Sequence, residues 1–143
     1  MIRNPFYSAV LAVLLIGTSL LVLEGCSADR NPVDGTEWKL AGWSLNSLDP
    51  ADFTITAKFT KEYISGSSGV NTYSGPYKLG ARGAFSVGQI AGTLMAGPEP
   101  AMRAEGAYLT LLGQASSYKV VNSELILYDK GGNELLIFEI ANK

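Results

Sequence analysis

Between residues 53 and 59 the sequence FTITAKF alternates, with Phe53, Ile55, Ala57 and Phe59 on one side and Thr54, Thr56 and Lys58 on the other. A period of two predicts a half-buried strand. Upstream, TEWKLAGW places Trp38 and Leu40 on one side of a short strand, with Trp43 further on, and YISG continues the strand pattern after Lys61-Glu62. From Glu99 to Ala115 the period lengthens. Met102, Glu105, Leu109 and Leu112 fall three or four residues apart, flanked by Tyr108 and Leu111, which predicts one amphipathic helix. Pro98, Glu99 and Pro100 suit its first turn, where a missing N–H costs nothing and a carboxylate meets the positive helix end. Gly113 marks its end. YKVV, ELILYD and NELLIFEI then read as three short strands, the last two joined by a Lys130-Gly131-Gly132 turn. In the last strand Leu136, Phe138 and Ile140 share one face, and Leu135, Ile137 and Glu139 the other. The expected fold class is α+β: a strongly curled antiparallel β-sheet, partly closed and barrel-like, with one amphipathic helix packed on it.

The N-terminal pattern is of another kind. Phe6 to Leu23 carries no charge, Arg3 precedes it, and Leu23-Glu24-Gly25-Cys26 follows. A basic start, an apolar run and small residues make a secretory signal. The tetrapeptide resembles a lipobox, in which cleavage occurs before a cysteine carrying a diacylglyceryl group; Leu23, Gly25 and Cys26 fit and Glu24 departs. An uncleaved membrane anchor is the other reading, since the run lies at the lower edge of a transmembrane length. Under either, the remainder is tethered to a membrane outside the cytoplasm. The expected organisation is a lipoprotein-type signal peptide over 1–25, a flexible tether over 26–35, in which SADRNPVDG lacks aromatic residues, and a domain over 36–143.

Charge and residue types narrow the function further. The formal net charge is −2, so the chain has no long-range attraction for phosphate backbones, and no nucleic-acid partner is expected. Cys26 is the sole cysteine and there is no histidine, which removes the commonest catalytic triads and zinc ligand sets. Leu48-Asp49-Pro50-Ala51-Asp52 has too few carboxylates for a calcium loop. The run SGSSGVNTYSGPYKLG, residues 65–80, is glycine-rich but has no lysine before Lys78 and no following helix. It reads as a bent strand and not as a phosphate cradle. Glu105 is the most interesting acid, because it falls within the apolar helix stripe. Either it is a raised-pKa acid of the kind found at active sites, or it is an acceptor tying the helix to neighbouring backbone N–H groups.

Several stretches together resemble the META domain, the module of the bacterial heat-shock lipoprotein HslJ. They are Trp38-Lys39-Leu40; Ser65 to Tyr77, with Gly66, Gly69, Asn71, Tyr73, Gly75 and Tyr77; and Thr93 to Glu105, with Thr93, Met95, Met102 and Glu105. Tyr108-Leu109 and the C-terminal ELILYD…LLIF add to the resemblance, which covers about residues 36–140. It implies that these signature residues are structural. It also implies that Val70 and Gly97 stand where relatives commonly carry a cysteine pair, and therefore on adjacent strands. Members are envelope or secreted modules linked to stress or drug tolerance, motility or virulence, with no reaction securely assigned. The expectation is a non-catalytic envelope protein without a cofactor, attached to the membrane through lipid on Cys26 and contacting an envelope protein partner. The alternative is a binder of a small apolar ligand, with Tyr63, Tyr73, Tyr77, Tyr118 and Tyr128 lining the curled sheet.

Overall fold

In the computed structural model, which describes residues 31–142 except residue 46, nine strands and one α-helix follow the chain. The strands are β1 (Glu37–Trp43), β2 (Thr56–Phe59), β3 (Tyr63–Ser67), β4 (Thr72–Gly80), β5 (Ala84–Val87), β6 (Ala91–Gly92), β7 (Ser117–Val121), β8 (Glu124–Tyr128) and β9 (Glu134–Asn142). Helix α1 (Glu99–Gln114) lies between β6 and β7. Every pairing is antiparallel, and the pairings β1–β2–β3–β4–β5–β7–β8–β9–β1 close a ring. The expected curled sheet is therefore a closed eight-stranded barrel, which leaves no long free edge. Its narrowest seam joins β5 to β7 through the single pair Ala84–Ser117, supported by Phe85 N–H donating to Ser116 O at 2.9 Å. Between β5 and β7 the chain passes through β6, which pairs with the start of β4 opposite β3, and then α1.

Alternation fills the inside. Trp38, Leu40, Ala57, Phe59, Ile64, Tyr73, Tyr77, Phe85, Leu125, Leu127, Leu136 and Phe138 are all buried. Each large apolar side chain so buried contributes about 1.5–3 kcal/mol, and barrels of this strand number are filled by their own side chains. The helix turns Ala104, Glu105, Tyr108, Leu111 and Leu112 inward. That face is rotated from the expected stripe: Ala104 is fully buried, whereas Met102 is 38% exposed. A small alanine lets the helix approach the sheet closely, and the long methionine sits at the margin. On β9, Leu135 is buried although it alternates with Leu136, beside a register shift at Leu127/Tyr128.

The register defines two rims. Glu37 pairs with Lys58 and Asn142, so the start of β1 and the ends of β2 and β9 share one rim. The β2–β3, β4–β5 and β7–β8 turns lie there as well, and we call it the N-terminal rim. The β3–β4 turn and the β8–β9 loop, in which Asp129 accepts from the N–H groups of Gly131 and Asn133, form the far rim. The ordered domain reaches further back than 36. Val33 is 1% exposed in the core, Gly35 N–H donates to Phe59 O at 3.0 Å, and Asn31 Nδ2 donates to Tyr77 Oη at 2.6 Å. Residues 31–35, expected within the flexible tether, are instead fastened to the barrel. One buried valine in a polar, proline-containing stretch leaves no periodic signal.

Candidate functional site

Glu105 projects from α1 to the far rim and meets the turn between β3 and β4. Its Oε2 accepts from Ser68 Oγ at 2.6 Å and from Asn71 N–H at 2.8 Å; its Oε1 accepts from Asn71 Nδ2 at 2.8 Å. Asn71 extends the network the other way. Its Oδ1 accepts from Met95 N–H at 2.7 Å and Thr93 Oγ1 at 2.8 Å, while Nδ2 also reaches Met95 O at 3.1 Å. One carboxylate and one amide thus join the β3–β4 turn, the stretch after β6 and the helix. Ser68, Asn71 and Glu105 are all buried.

The surroundings decide the charge of Glu105. Burial pushes its pKa up, but the hydrogen bonds from Ser68 and Asn71 and the turn's backbone outweigh burial, so the carboxyl is held below its ordinary 4.5. The ionised form is built into the fold, and all three donors point at it. Among the described residues, no buried side-chain nitrogen or oxygen lacks a partner, and no three acidic or cysteine side chains gather.

The turn itself requires glycines. Gly69 has φ +123°, a region that disfavours any Cβ, and faces Ala101 O and Glu105 across α1. Gly66, on β3, lies flat against the Thr56 carbonyl of β2. Thr56 O also accepts from Tyr73 Oη at 2.9 Å. Because that hydroxyl donates to Thr56, Tyr108 is the donor in the 2.6 Å Tyr73–Tyr108 pair. Burial pushes both phenols up, so both remain protonated. Gly75 lies beneath Ile90 and Gln89 O.

The remaining signature residues lie elsewhere. Trp38 is core, its Nε1 donating to Thr36 Oγ1 at 2.7 Å. Tyr77 belongs to the N-terminal rim, where it donates to Thr60 O at 2.7 Å and packs edge-on to Phe59. Met95 joins the network only through its backbone and exposes its side chain, as does Met102, which makes no hydrogen bond to the network. Ser68 is the residue the sequence reading missed; a serine between Gly66 and Gly69 was the available signal.

Val70 and Gly97 are neighbours, but not on strands. Val70 lies in the β3–β4 turn and Gly97 in the exposed stretch before α1. A Cβ built on Gly97 would lie 3.3 Å from Val70 Cβ, close to the separation a disulfide uses. The pair Val70→Cys with Gly97→Cys is expected to oxidise spontaneously and to stabilise the protein by about 2–4 kcal/mol. Denaturant melts with and without reductant check this; a double variant that keeps two free thiols under oxidising conditions contradicts the placement.

Comparison with known proteins agrees with this geometry. The META domain pattern matches residues 31–142. The chain belongs to the META domain family. The match takes in residues 31–35, which the structure fastens to the barrel. Among solved structures the META barrel is similar to an NMR structure of a protein from Burkholderia xenovorans, at 29% identity and TM-score 0.65 over 78% of this chain and 85% of that one. A crystal structure of a DUF4847 family protein from Bacteroides vulgatus, at 12% identity and TM-score 0.57, covers 78% of this chain and 96% of that one and shares the fold. No curated protein matches the chain.

Proposed function

We propose that this META domain protein is a lipid-anchored component of the cell envelope that supports stress or drug tolerance without catalysis, by contacting an envelope protein. The observation that carries the non-catalytic reading is the saturation of Glu105. Its carboxylate is ionised, buried and engaged by three donors, so the acid at the heart of the signature holds the wall together. The leader ending in Leu23-Glu24-Gly25-Cys26 supports the anchor. The contact surface we favour is the stretch after β6, where Leu94 is 99% and Met95 58% exposed on a segment whose backbone Asn71 fixes. Rigid, exposed apolar side chains are the kind of surface a partner covers.

Site-specific photocrosslinking from Leu94 in intact membranes tests this reading. A discrete envelope-protein adduct, absent when the crosslinker replaces exposed Lys130, is the expected result. Equal or no adducts at both positions contradict it, as does turnover of a compound that depends on Glu105. A second reading, binding of a small apolar ligand, draws on a groove of about 630 Å³ reached by Tyr63, Tyr77 and Tyr118. The groove lies on the N-terminal rim beside Lys61, Glu62 and Lys78, whereas the barrel interior is occupied by Trp38, Phe59, Tyr108 and Phe138.

A further inference from the structure

The N-terminal rim has apolar surface that neither the barrel nor the signature network explains. Tyr63 is 52% exposed, Val120 39% and Val121 47%. Successive strand residues face opposite sides, so exposure of both valines means that the end of β7 projects beyond the wall. The tip is tight: Asn122 and Ser123 have φ values of 51° and 67°, as a two-residue hairpin turn of the primed type requires. Tyr63 opens β3 directly after the β2–β3 turn, which the ring order places across the same rim from the β7–β8 tip.

The chain arrives at this same rim. Asn31 and Pro32 line the groove of about 630 Å³ together with Tyr63 and Tyr118, and Pro32 lines a second groove, of about 440 Å³, with Val120. Only Ser27 to Arg30 separate Asn31 from Cys26. Five Cα-to-Cα steps reach at most about 18 Å even when fully extended. A lipid-bearing Cys26 therefore keeps this rim within reach of the bilayer.

We propose that the N-terminal rim docks onto the bilayer that holds the acyl chains, with Tyr63, Val120 and Val121 settling into the headgroup region. The inference rests on the lipid anchor proposed above. Tyrosine suits this boundary because its ring is apolar and its hydroxyl stays wet. The anchor makes the second contact intramolecular, so a few apolar side chains spaced around one rim, which would not bind membranes alone, are held there by effective concentration. The charges of the rim are mixed, with Lys58, Lys61, Lys78 and Arg82 opposed by Asp34, Glu62 and the half-buried Glu37 and Glu124. Docking therefore needs no anionic lipid and persists in salt. It also turns the far rim, with Leu94 and Met95, away from the membrane.

The test uses the full chain, purified from a host that acylates lipoproteins and reconstituted in phosphatidylcholine vesicles containing brominated lipid. A fluorophore is placed in turn at Tyr63→Cys, Val121→Cys and, on the far rim, Lys130→Cys. Labels at 63 and 121 are expected to be quenched at least about threefold more than the label at 130, as burial about 5–10 Å into the boundary implies. Equal quenching at all three positions in a protein whose intact mass includes the acyl groups overturns the docking and leaves the anchor standing. Labels at 63 and 121 shielded from both brominated lipid and soluble iodide also overturn it, since a protein then covers the rim. An intact mass without acyl groups on Cys26 removes the anchor and the docking with it.

Discussion

Gly66→Ala is expected to be the most damaging single substitution in the barrel wall, lowering stability by about 3 kcal/mol or more or preventing folding. A Cβ at this position would collide with the Thr56 carbonyl and stand 2.7 Å from its carbon and 2.9 Å from Thr56 Oγ1. The obstacle is backbone, so no rotamer change relieves it. Moving Thr56 away would also break the bonds that Tyr73 Oη and Ser67 N–H make to it. Chemical denaturation checks the magnitude. A Gly66→Ala protein that melts within about 1 kcal/mol of wild type would show that β2 and β3 can separate freely there.

Removing the Glu105 side chain is the second large loss. In Glu105→Ala, Ser68 Oγ, Asn71 N–H and one proton of Asn71 Nδ2 lose their acceptor in a buried place. Hydrogen bonds to charged groups are worth about 1.5–3 kcal/mol each, with partial compensation when one donor re-pairs. We expect a loss of about 3–5 kcal/mol, comparable to removing one partner from a buried ionic cluster. Ser68 has such a second partner in Asn71 O at 2.9 Å, which keeps the total below the sum of three. Glu105→Gln should cost less, because its carbonyl oxygen still accepts while its NH₂ faces donors. The exposed Glu99–Arg103 pair on the same helix, at 3.2 Å, is the control: its removal should change stability by well under 1 kcal/mol.

Much of this architecture was legible in the chain. The two-residue period of FTITAKF and the longer period after Glu99 each report burial on one face, and burial is what the barrel and its helix provide. Ring closure was not legible, because it depends on the β3–β4 and β5–β7 pairings between segments whose own patterns do not name their neighbours. Val33 was missed because a single residue has no period. Hydrophobicity alone ranks Met102 above Ala104 as an inward position, whereas close helix-to-sheet approach favours the smaller side chain. In the site, Glu105 stood out as a charge inside an apolar stripe. Its partner Ser68 did not, since a serine in a glycine-rich run reads as turn material until the turn is folded against the helix.

The charge of Glu105 in the folded protein is the point on which the account turns, and it can be measured directly. Asp129, on the exposed β8–β9 loop, is also held below its ordinary range, but it is common to both proteins and cancels in a comparison. Stability of wild type and Glu105→Gln should be followed from neutral pH to about pH 3. A carboxyl whose folded pKa is depressed contributes stability that is complete above 4.5 and is lost as pH falls through the lower folded value. The advantage of wild type over Glu105→Gln should therefore shrink in acid. An advantage that instead grows as pH falls would mean that Glu105 is a neutral buried acid, and the lock described here would have to be replaced by a site built to move a proton.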